Sequence, residues 1–218
     1  MSTVFDCSDP EGRAAGIRAA VGAAKAGRLV VVPTDTLYGI GCDAFDSEAV
    51  AALLAAKGRG RDMPVPVLVG SWHTIDGLVL SVSTAARDLV EAFWPGGLSL
   101  VVEQAPSLAW DLGDTNGSVM LRMPLHPVAI DLLREVGPMA VSSANVSGRP
   151  PATTVDEARD QLGESVSVYL DGGTAAAAQA STIVDLTGPA PRILREGAVS
   201  IDAIAEVLDL DVDVLAAR

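Results

Sequence analysis

The chain has 218 residues, 49% of them apolar, and a formal net charge of −13 at pH 7. This length allows one sizeable hydrophobic core, and no apolar run approaches the roughly 20 residues of a membrane-spanning helix. No signal-peptide pattern is present, so we expect a cytoplasmic protein. The two cysteines and two histidines lack the spacing of metal ligands, and no metal site is predicted. The acidic net charge disfavours binding of nucleic acid on an extended surface. It favours binding of a small anionic ligand in a local cationic cleft.

Helical and strand patterns alternate along the chain. Helices are predicted at residues 11–26, 47–57, 84–93, 128–135, 156–162 and 201–208. Strands are predicted at residues 29–32, 65–69, 98–102, 118–123, 139–142, 166–170, 182–185 and 192–194. This alternation predicts an α/β fold, and the continuous apolar strands predict a sheet covered on both faces. No linker or repeat divides the chain, so a single domain over residues 1–218 is expected.

Local signals add four expectations to these elements. Ser47 is the expected N-cap of the second helix. Pro66 is expected at a sheet edge or at the start of its strand, because proline has no N–H to donate. The alanine run at residues 175–178 is expected to form a mobile loop, and the acidic tail from about residue 209 is expected to fray.

The stretch from residue 29 to residue 69 combines a buried strand, a polar turn, a helix and a cationic loop. Lys57, Arg59 and Arg61 are separated there by glycines. Like charges repel, and glycine weakens a helix by about 1 kcal/mol relative to alanine, so the cluster favours an anion-binding role. The only other lysine is Lys25, which makes Lys57 a candidate for a specific phosphate contact. A solvated helix C-terminus explains the same cations equally well.

Further polar groups follow predicted strands. They are the turn at residues 33–36, the segment at residues 142–148, Ser181 with Thr182, and Arg195. Ligands bind beyond the carboxyl ends of strands in α/β sheets, and hydroxyls, amides and cations suit a phosphate or a carboxylate. Ordinary turn chemistry accounts for each hydroxyl alone, Asp35 suits a turn cap, and Tyr38 suits the core. The sequence contains no standard nucleotide-binding fingerprint.

Seven segments, taken in order, resemble the YrdC-like family of threonylcarbamoyl-adenylate synthases. The segments are PTDTLYGIG, KGR, WPGGLSLVV, VMLRMPLHPVA, PMAVSSANVSG, STIVDLT and ILREGAVS, within about residues 27–201. The resemblance implies a twisted, largely mixed sheet with flanking helices around a deep, positively lined cavity. It also implies a nucleotidyltransferase that makes threonylcarbamoyl-adenylate and pyrophosphate from ATP, L-threonine and bicarbonate, for the threonylcarbamoyladenosine modification of tRNA.

The same resemblance implies roles for individual residues. The family's nucleotide-contacting positions correspond to Lys57, Arg59, Ser143, Asn145, Ser181 and Arg195, with Lys57 and Arg59 as the expected catalytic cations. The expected threonine-binding residues are Thr34, Tyr38 and Arg122. Mg²⁺ is expected to arrive with ATP, held largely by phosphate and water. The product is expected to pass to a tRNA threonylcarbamoyl-transfer complex, without a membrane and without strong direct nucleic-acid binding.

Departures from the family's pattern bear on how loops close over ATP. Gly60 stands where the family has proline after KxR, AAAAQA precedes Ser181, and Glu196 replaces the proline after the arginine of ILR. Three alternatives to the synthase are a YrdC-like RNA-binding module, a paralogue without this activity, and a carbamoyl-transfer maturation subunit, which would need zinc-finger and acylphosphatase-like segments. The acidic net charge, the intact KxR and SxN motifs and the lack of room for further segments argue against them in turn.

Overall fold

The computed structural model describes residues 2–175 and 179–216. The strands are β1 (Thr3–Asp6), β2 (Val30–Val32), β3 (Gly39–Asp43), β4 (Val67–Leu68), β5 (Leu98–Glu103), β6 (Ser118–Arg122), β7 (Met139–Ser143), β8 (Val168–Asp171), β9 (Thr182–Asp185) and β10 (Arg192–Arg195). The helices are α1 (Pro10–Lys25), α2 (Ser47–Lys57), α3 (Ile75–Leu78), α4 (Thr84–Phe93), α5 (Pro127–Val136), α6 (Val155–Leu162), α7 (Ile201–Leu208) and α8 (Val212–Ala216). Most of the predicted alanine loop, residues 176–178, lies outside the described residues.

The described strands form a single sheet in the order β1-β8-β2-β3-β7-β4-β6-β5-β9-β10. Neighbouring strands run parallel in the pairs β1–β8, β2–β8, β4–β6 and β5–β9 and antiparallel in the other pairs. The sheet is therefore mixed, and the predicted α/β class is confirmed. Within the described ranges, no helix is long and apolar enough to cross a membrane.

Helices cover both faces of the sheet. α1 and α5 pack on one face, where Leu132 is fully buried, and α2, α4, α6 and α7 pack on the other, where Leu53 is fully buried. β2 shows why its sequence is continuously apolar. Val30 and Val32 pack on the face covered by α1 and α5, and Val31 packs on the face covered by α2, α4, α6 and α7. Successive side chains of a strand point to opposite faces, so a strand buried on both faces is continuously apolar.

The sequence prediction missed β3, whose glycines are poor strand formers. Because glycine has no side chain, β3 can lie close against β7 at these positions. A Cβ atom on Gly39 would lie 2.6 Å from Val141 Cγ1, and one on Gly41 would lie 2.7 Å from Val141 Cγ2. β3 pairs with both β2 and β7, so it brings the polar turn after β2 next to the serine-rich end of β7.

Two predictions were wrong, one about the N-cap of α2 and one about the C-terminal tail. Asp46, and not Ser47, caps α2, because its carboxylate accepts the N–H groups of Glu48 and Ala49 at 3.1 and 3.0 Å. The tail does not fray from residue 209: it forms α8 and buries Leu215 completely, since an apolar side chain there can reach the core. β1 and the short helices between residues 72 and 78 were also not predicted.

Pro66 confirms the expectation of a strand start. It stands directly before β4, which lies inside the sheet between β7 and β6. Its carbonyl accepts the Val141 N–H at 2.8 Å, so Pro66 takes part in the hydrogen bonding beside the strand although it has no N–H to donate.

Candidate active site

A cavity of about 340 Å³ lies against five adjacent strands, β7, β4, β6, β5 and β9. Alternate residues of a strand share a face, so each strand presents a few side chains to the same space. The strands contribute Val141, Met120, Arg122, Ser99 and Ile183, among others. The turn after β2, the loop after α2, the end of β10, the residues just before β9 and Pro151 supply the remaining walls.

Seven of the nine predicted site residues line this cavity. They are Thr34, Tyr38, Arg59, Arg122, Ser143, Ser181 and Arg195. Lys57 and Asn145 are buried beside it and do not line it. The fold therefore brings most of the predicted positions together, although they are scattered through the chain.

A larger groove of about 770 Å³ lies between α1 and α5 on the other side of the sheet. It contains none of the predicted site residues, and its Arg13 and Asp131 form an ion pair with each other. We therefore place the candidate site in the smaller cavity, where cations and hydroxyls converge.

The turn after β2 is shaped by the hydroxyl of Thr34. This oxygen accepts the N–H groups of Thr36 and Leu37 at 3.2 Å each and donates to the Leu37 carbonyl at 2.6 Å. It also lies 3.0 Å from the Thr36 hydroxyl. The Thr34 hydroxyl is thus used within the turn, and Thr36, which the sequence prediction did not single out, carries the second hydroxyl of the wall.

Tyr38 belongs both to the core and to the cavity wall. Its side chain is fully buried, and its hydroxyl donates to the Gly173 carbonyl at 2.6 Å and accepts the Gly172 N–H at 3.0 Å. Burial raises the pKa of the Tyr38 phenol above its ordinary value, so the group stays neutral. Tyr38 therefore fixes the backbone after β8 beside the site.

Arg122 projects from the end of β6 and is held on three sides. Nε donates to the Gly96 carbonyl at 2.8 Å, Nη1 to the Thr36 hydroxyl at 2.8 Å and Nη2 to Asp35 Oδ1 at 2.7 Å. Asp35 is thus the counter-ion of a buried arginine as well as part of a turn. Arg122 reaches the cavity with its guanidinium already fixed in place.

Arg195 and Ser181 are joined beside the start of β5. Arg195 donates to the Ser181 carbonyl from Nε at 3.1 Å and from Nη2 at 2.7 Å. The Ser181 hydroxyl lies 2.9 Å from the hydroxyl of Ser99, which is buried in β5. Ser99 was missed by the sequence prediction, although it stands in the quoted WPGGLSLVV segment just after a glycine turn.

Arg59 is held by the end of β7 and by the segment that follows it. Its Nε donates to the Ser147 hydroxyl at 2.9 Å and its Nη1 to the Ser142 hydroxyl at 3.1 Å. Arg61, two residues further on, is exposed and pairs with Asp111 at 2.8 Å. The predicted cationic cluster therefore divides, with one arginine in the cavity and one on the surface.

Lys57 and Asn145 form a buried polar network. Lys57 Nζ donates to the carbonyl of Ser143, to the carbonyl of Asn145 at 2.8 Å and to Asn145 Oδ1 at 3.4 Å. Asn145 Oδ1 also accepts the Ser143 hydroxyl at 2.6 Å. Burial, aided by the charge of Arg59, lowers the pKa of Lys57 to about 7. Lys57 Nζ is thus bonded to oxygens of the segment from Ser143 to Asn145.

The lining of the cavity carries positive charge and, among the described residues, no carboxylate. Burial lowers the pKa of Arg59, Arg122 and Arg195, and the charge of Arg195 adds to this effect at Arg122. All three guanidinium groups nevertheless stay charged at neutral pH. Neither Arg59 nor Arg195 belongs to an ion pair within the described part of the chain. An anionic ligand would offset the cost of burying these cations.

Comparisons with known proteins agree on one family. Residues 22–197 match the Sua5/YciO/YrdC family model, which is described as "Telomere recombination". A Mycobacterium tuberculosis protein provisionally named threonylcarbamoyl-AMP synthase is 70% identical over 211 residues, which are 97% of this chain and 97% of that protein. The threonylcarbamoyl-AMP synthase of Pyrococcus abyssi is 33% identical over 193 residues, 88% of this chain and 57% of that protein.

Solved structures give the same result. The structure of P. abyssi Sua5 complexed with L-threonine superposes with a TM-score of 0.89 and 30% identity, covering 95% of this chain and 61% of that one. This chain therefore spans about 60% of the length of that Sua5 protein. Escherichia coli YciO, at 22% identity and a TM-score of 0.83, supports the fold. The chain belongs to the Sua5/YciO/YrdC family.

Proposed function

We propose that this protein is a threonylcarbamoyl-AMP synthase, which makes threonylcarbamoyl-adenylate and pyrophosphate from ATP, L-threonine and bicarbonate. The observation that carries the proposal is the convergence of Arg59, Arg122 and Arg195 on one cavity whose described lining has no carboxylate. The 70% identical relative that is named for this reaction supports it. Such a lining suits a reaction in which two anionic reactants must meet, because fixed cations reduce their repulsion.

The cavity divides naturally between the two substrates. Four of its lining residues, Arg59, Ser143, Ser181 and Arg195, are proposed to bind the phosphates of ATP. Hydroxyls beside guanidinium groups are the donors that phosphate oxygens require.

The threonine is proposed to bind beside the turn after β2. Thr34, Thr36, Tyr38 and Arg122 line that wall, and P. abyssi Sua5 has been solved with L-threonine. The charge of Arg195 contributes to lowering the pKa of Arg122, so the two guanidinium groups interact electrostatically. A carboxylate near both arginines would therefore be stabilised by each.

The chemistry needs no protein nucleophile. The threonine amine adds to the carbon of bicarbonate and water leaves, which gives a carbamate. A carbamate oxygen then attacks the α-phosphorus of ATP, the bond from that phosphorus to the bridging oxygen breaks, and pyrophosphate leaves. The protein contributes the alignment of the two anions and the neutralisation of charge on the phosphates, which are large terms when donors are held in place beforehand.

Mg²⁺ is proposed to enter with ATP. The described residues contain no group of three or more His, Cys, Asp or Glu side chains that could hold a metal ion, and those lining the cavity offer hydroxyls and guanidinium groups. ATP phosphates and water would therefore supply the oxygen ligands, and the ion would neutralise phosphate charge. We further propose that the product passes to a tRNA threonylcarbamoyl-transfer complex.

The test is pyrophosphate release by the purified protein with ATP, L-threonine and bicarbonate, and with each omitted in turn. Release should require all three, and Arg59→Ala should lower it by about a hundred- to thousandfold. Arg61→Ala is the matched control and should be silent, because that arginine is exposed and paired with Asp111. Absence of release, together with salt-sensitive RNA binding, would favour the RNA-binding alternative.

A further inference from the structure

The end of α2 is bonded to the last residue of β7 and to the segment that follows it. Lys57 Nζ donates to the Ser143 carbonyl and to both oxygens of Asn145. The backbone joins them as well, because Ser147 N–H donates to the Lys57 carbonyl at 2.9 Å. Lys57 therefore links α2 to three positions in a segment of five residues.

In its charged form, Lys57 Nζ has no donor left for a ligand. It carries three N–H donors, and three protein oxygens accept them. The side chain is 0% exposed and does not line the cavity. A buried ammonium is tolerated only when it is satisfied in this way, so its bonds cannot be exchanged for a phosphate without cost.

Gly58 explains how neighbouring cations reach different places. It has φ 63° and ψ 37°, a left-handed conformation that glycine adopts without strain, and it ends α2. Lys57 is thereby left in the protein interior, while Arg59 reaches the cavity.

We propose that Lys57 is a positioning residue, which holds residues 142–147 so that Arg59 and Ser143 face the bound nucleotide. This inference rests on the proposed synthase function. The link to Arg59 is direct, since Arg59 donates to Ser142 and Ser147, at the two ends of that segment. Without Lys57 the carbonyls of Ser143 and Asn145 lose their buried donor, the segment shifts, and Arg59 loses its orientation.

Amine labelling distinguishes this role from a phosphate contact. The chain has two lysines, and Lys25 is exposed, so it serves as an internal control. The probe is acetic anhydride at a pH of about 8, where an amine of pKa about 7 is mostly neutral and reacts readily if it is reachable. Positioning predicts that Lys25 is labelled and Lys57 is not, with or without ATP. Labelling of Lys57 in the free protein that ATP prevents would overturn the proposal.

Kinetics distinguish positioning from a merely structural role. Lys57→Met keeps the length of the side chain and removes its donors. It should lower kcat for pyrophosphate release about a hundredfold, the size of a small misplacement, with little change in the KM for threonine. In an Arg59→Ala background the same change should cost less than about threefold, because the two residues act through one another. Equal losses in both backgrounds would overturn the proposal.

The labelling experiment and the kinetic experiment test the proposal independently. If Lys57→Met does not fold, as judged by thermal melting, labelling of the unaltered protein still tests for a phosphate contact, and Lys57→Arg takes its place in the kinetic comparison. Failure of the proposed function would appear as absent pyrophosphate release by the unaltered protein, whereas labelling with and without ATP needs no turnover.

Lys57→Arg should keep more activity than Lys57→Met but less than the unaltered protein, because a planar guanidinium cannot reproduce three converging bonds from one nitrogen.

Discussion

Arg122 Nη2 lies 2.7 Å from Asp35 Oδ1, and the two side chains are only 8% and 19% exposed. The pair joins the end of β6 to the turn after β2. Asp35 Oδ1 also accepts the Leu125 N–H at 2.8 Å, so a single carboxylate oxygen fixes two segments of the candidate threonine wall. Removing it would leave a buried guanidinium without its counter-ion.

Asp35→Ala is therefore expected to lower the free energy of unfolding by about 3–5 kcal/mol, the usual cost of leaving a buried charge unpaired. Asp76→Ala is the control, because Asp76 and its partner Arg87 are both more than half exposed. That change should cost less than about 1 kcal/mol. Urea denaturation of the two variants measures the difference, and equal losses would show that the Arg122 pair is not electrostatically important.

Substrate choice should follow the hydroxyls of the wall. Thr34 and Thr36 form one hydrogen-bonded pair beside Arg122. A site built to hydrogen-bond a hydroxyl rejects an analogue that lacks it far better than one that lacks only a methyl. Serine should therefore be a poor substrate and 2-aminobutyrate a worse one, as measured by kcat/KM for pyrophosphate release. Equal turnover of the two analogues would place the threonine hydroxyl elsewhere.

Ser99 is expected to support the phosphate side of the cavity through Ser181. Its hydroxyl lies 2.9 Å from that of Ser181, which itself contacts Arg195. Ser99→Ala removes the buried hydrogen-bond partner of the Ser181 hydroxyl, and we expect kcat/KM for ATP to fall by up to roughly tenfold, the effect of about 1.4 kcal/mol in the activation free energy. Ser118→Ala is the matched control, since that hydroxyl bonds to the Thr115 carbonyl and does not line the cavity. Identical kinetics in the two variants would argue against this role.

Stability should depend on pH through Lys57. Burial lowers its pKa in the folded protein to about 7 from the ordinary 10.5, so between these values the unfolded chain binds more protons than the folded one. Folding is therefore favoured increasingly as pH rises through this window, and the full penalty of the buried ammonium applies below it. Lys57→Met lacks the titration. The free energy of unfolding should shift in favour of the unaltered protein from pH 7 to about pH 9; a pH-independent difference in urea titrations would contradict this.

The sequence predicted elements well where periodicity is strong. The helices at Ser47–Lys57, Thr84–Phe93 and Ile201–Leu208 have the predicted bounds. β3 was missed because a strand containing Gly39 and Gly41 is recognisable only from its contact with Val141, which lies far away in sequence.

The site shows the same division between local and long-range information. Family resemblance located Arg59, Arg122 and Arg195, because charged positions stand in quoted motifs. It could not show that Lys57 points into the protein, since burial depends on carbonyls 86 and 88 residues further along. Ser99 was overlooked because a lone hydroxyl in an apolar strand carries no local signal.

The most direct test of the proposed function is to identify the nucleotide product. The protein would be incubated with ATP, Mg²⁺, L-threonine and isotopically labelled bicarbonate, and the products separated by mass spectrometry. Because the carbamate carbon comes from bicarbonate, the proposal predicts an adenylate that contains both threonine and the labelled carbon, formed together with pyrophosphate. A threonine adenylate without the label, or AMP alone, would contradict it.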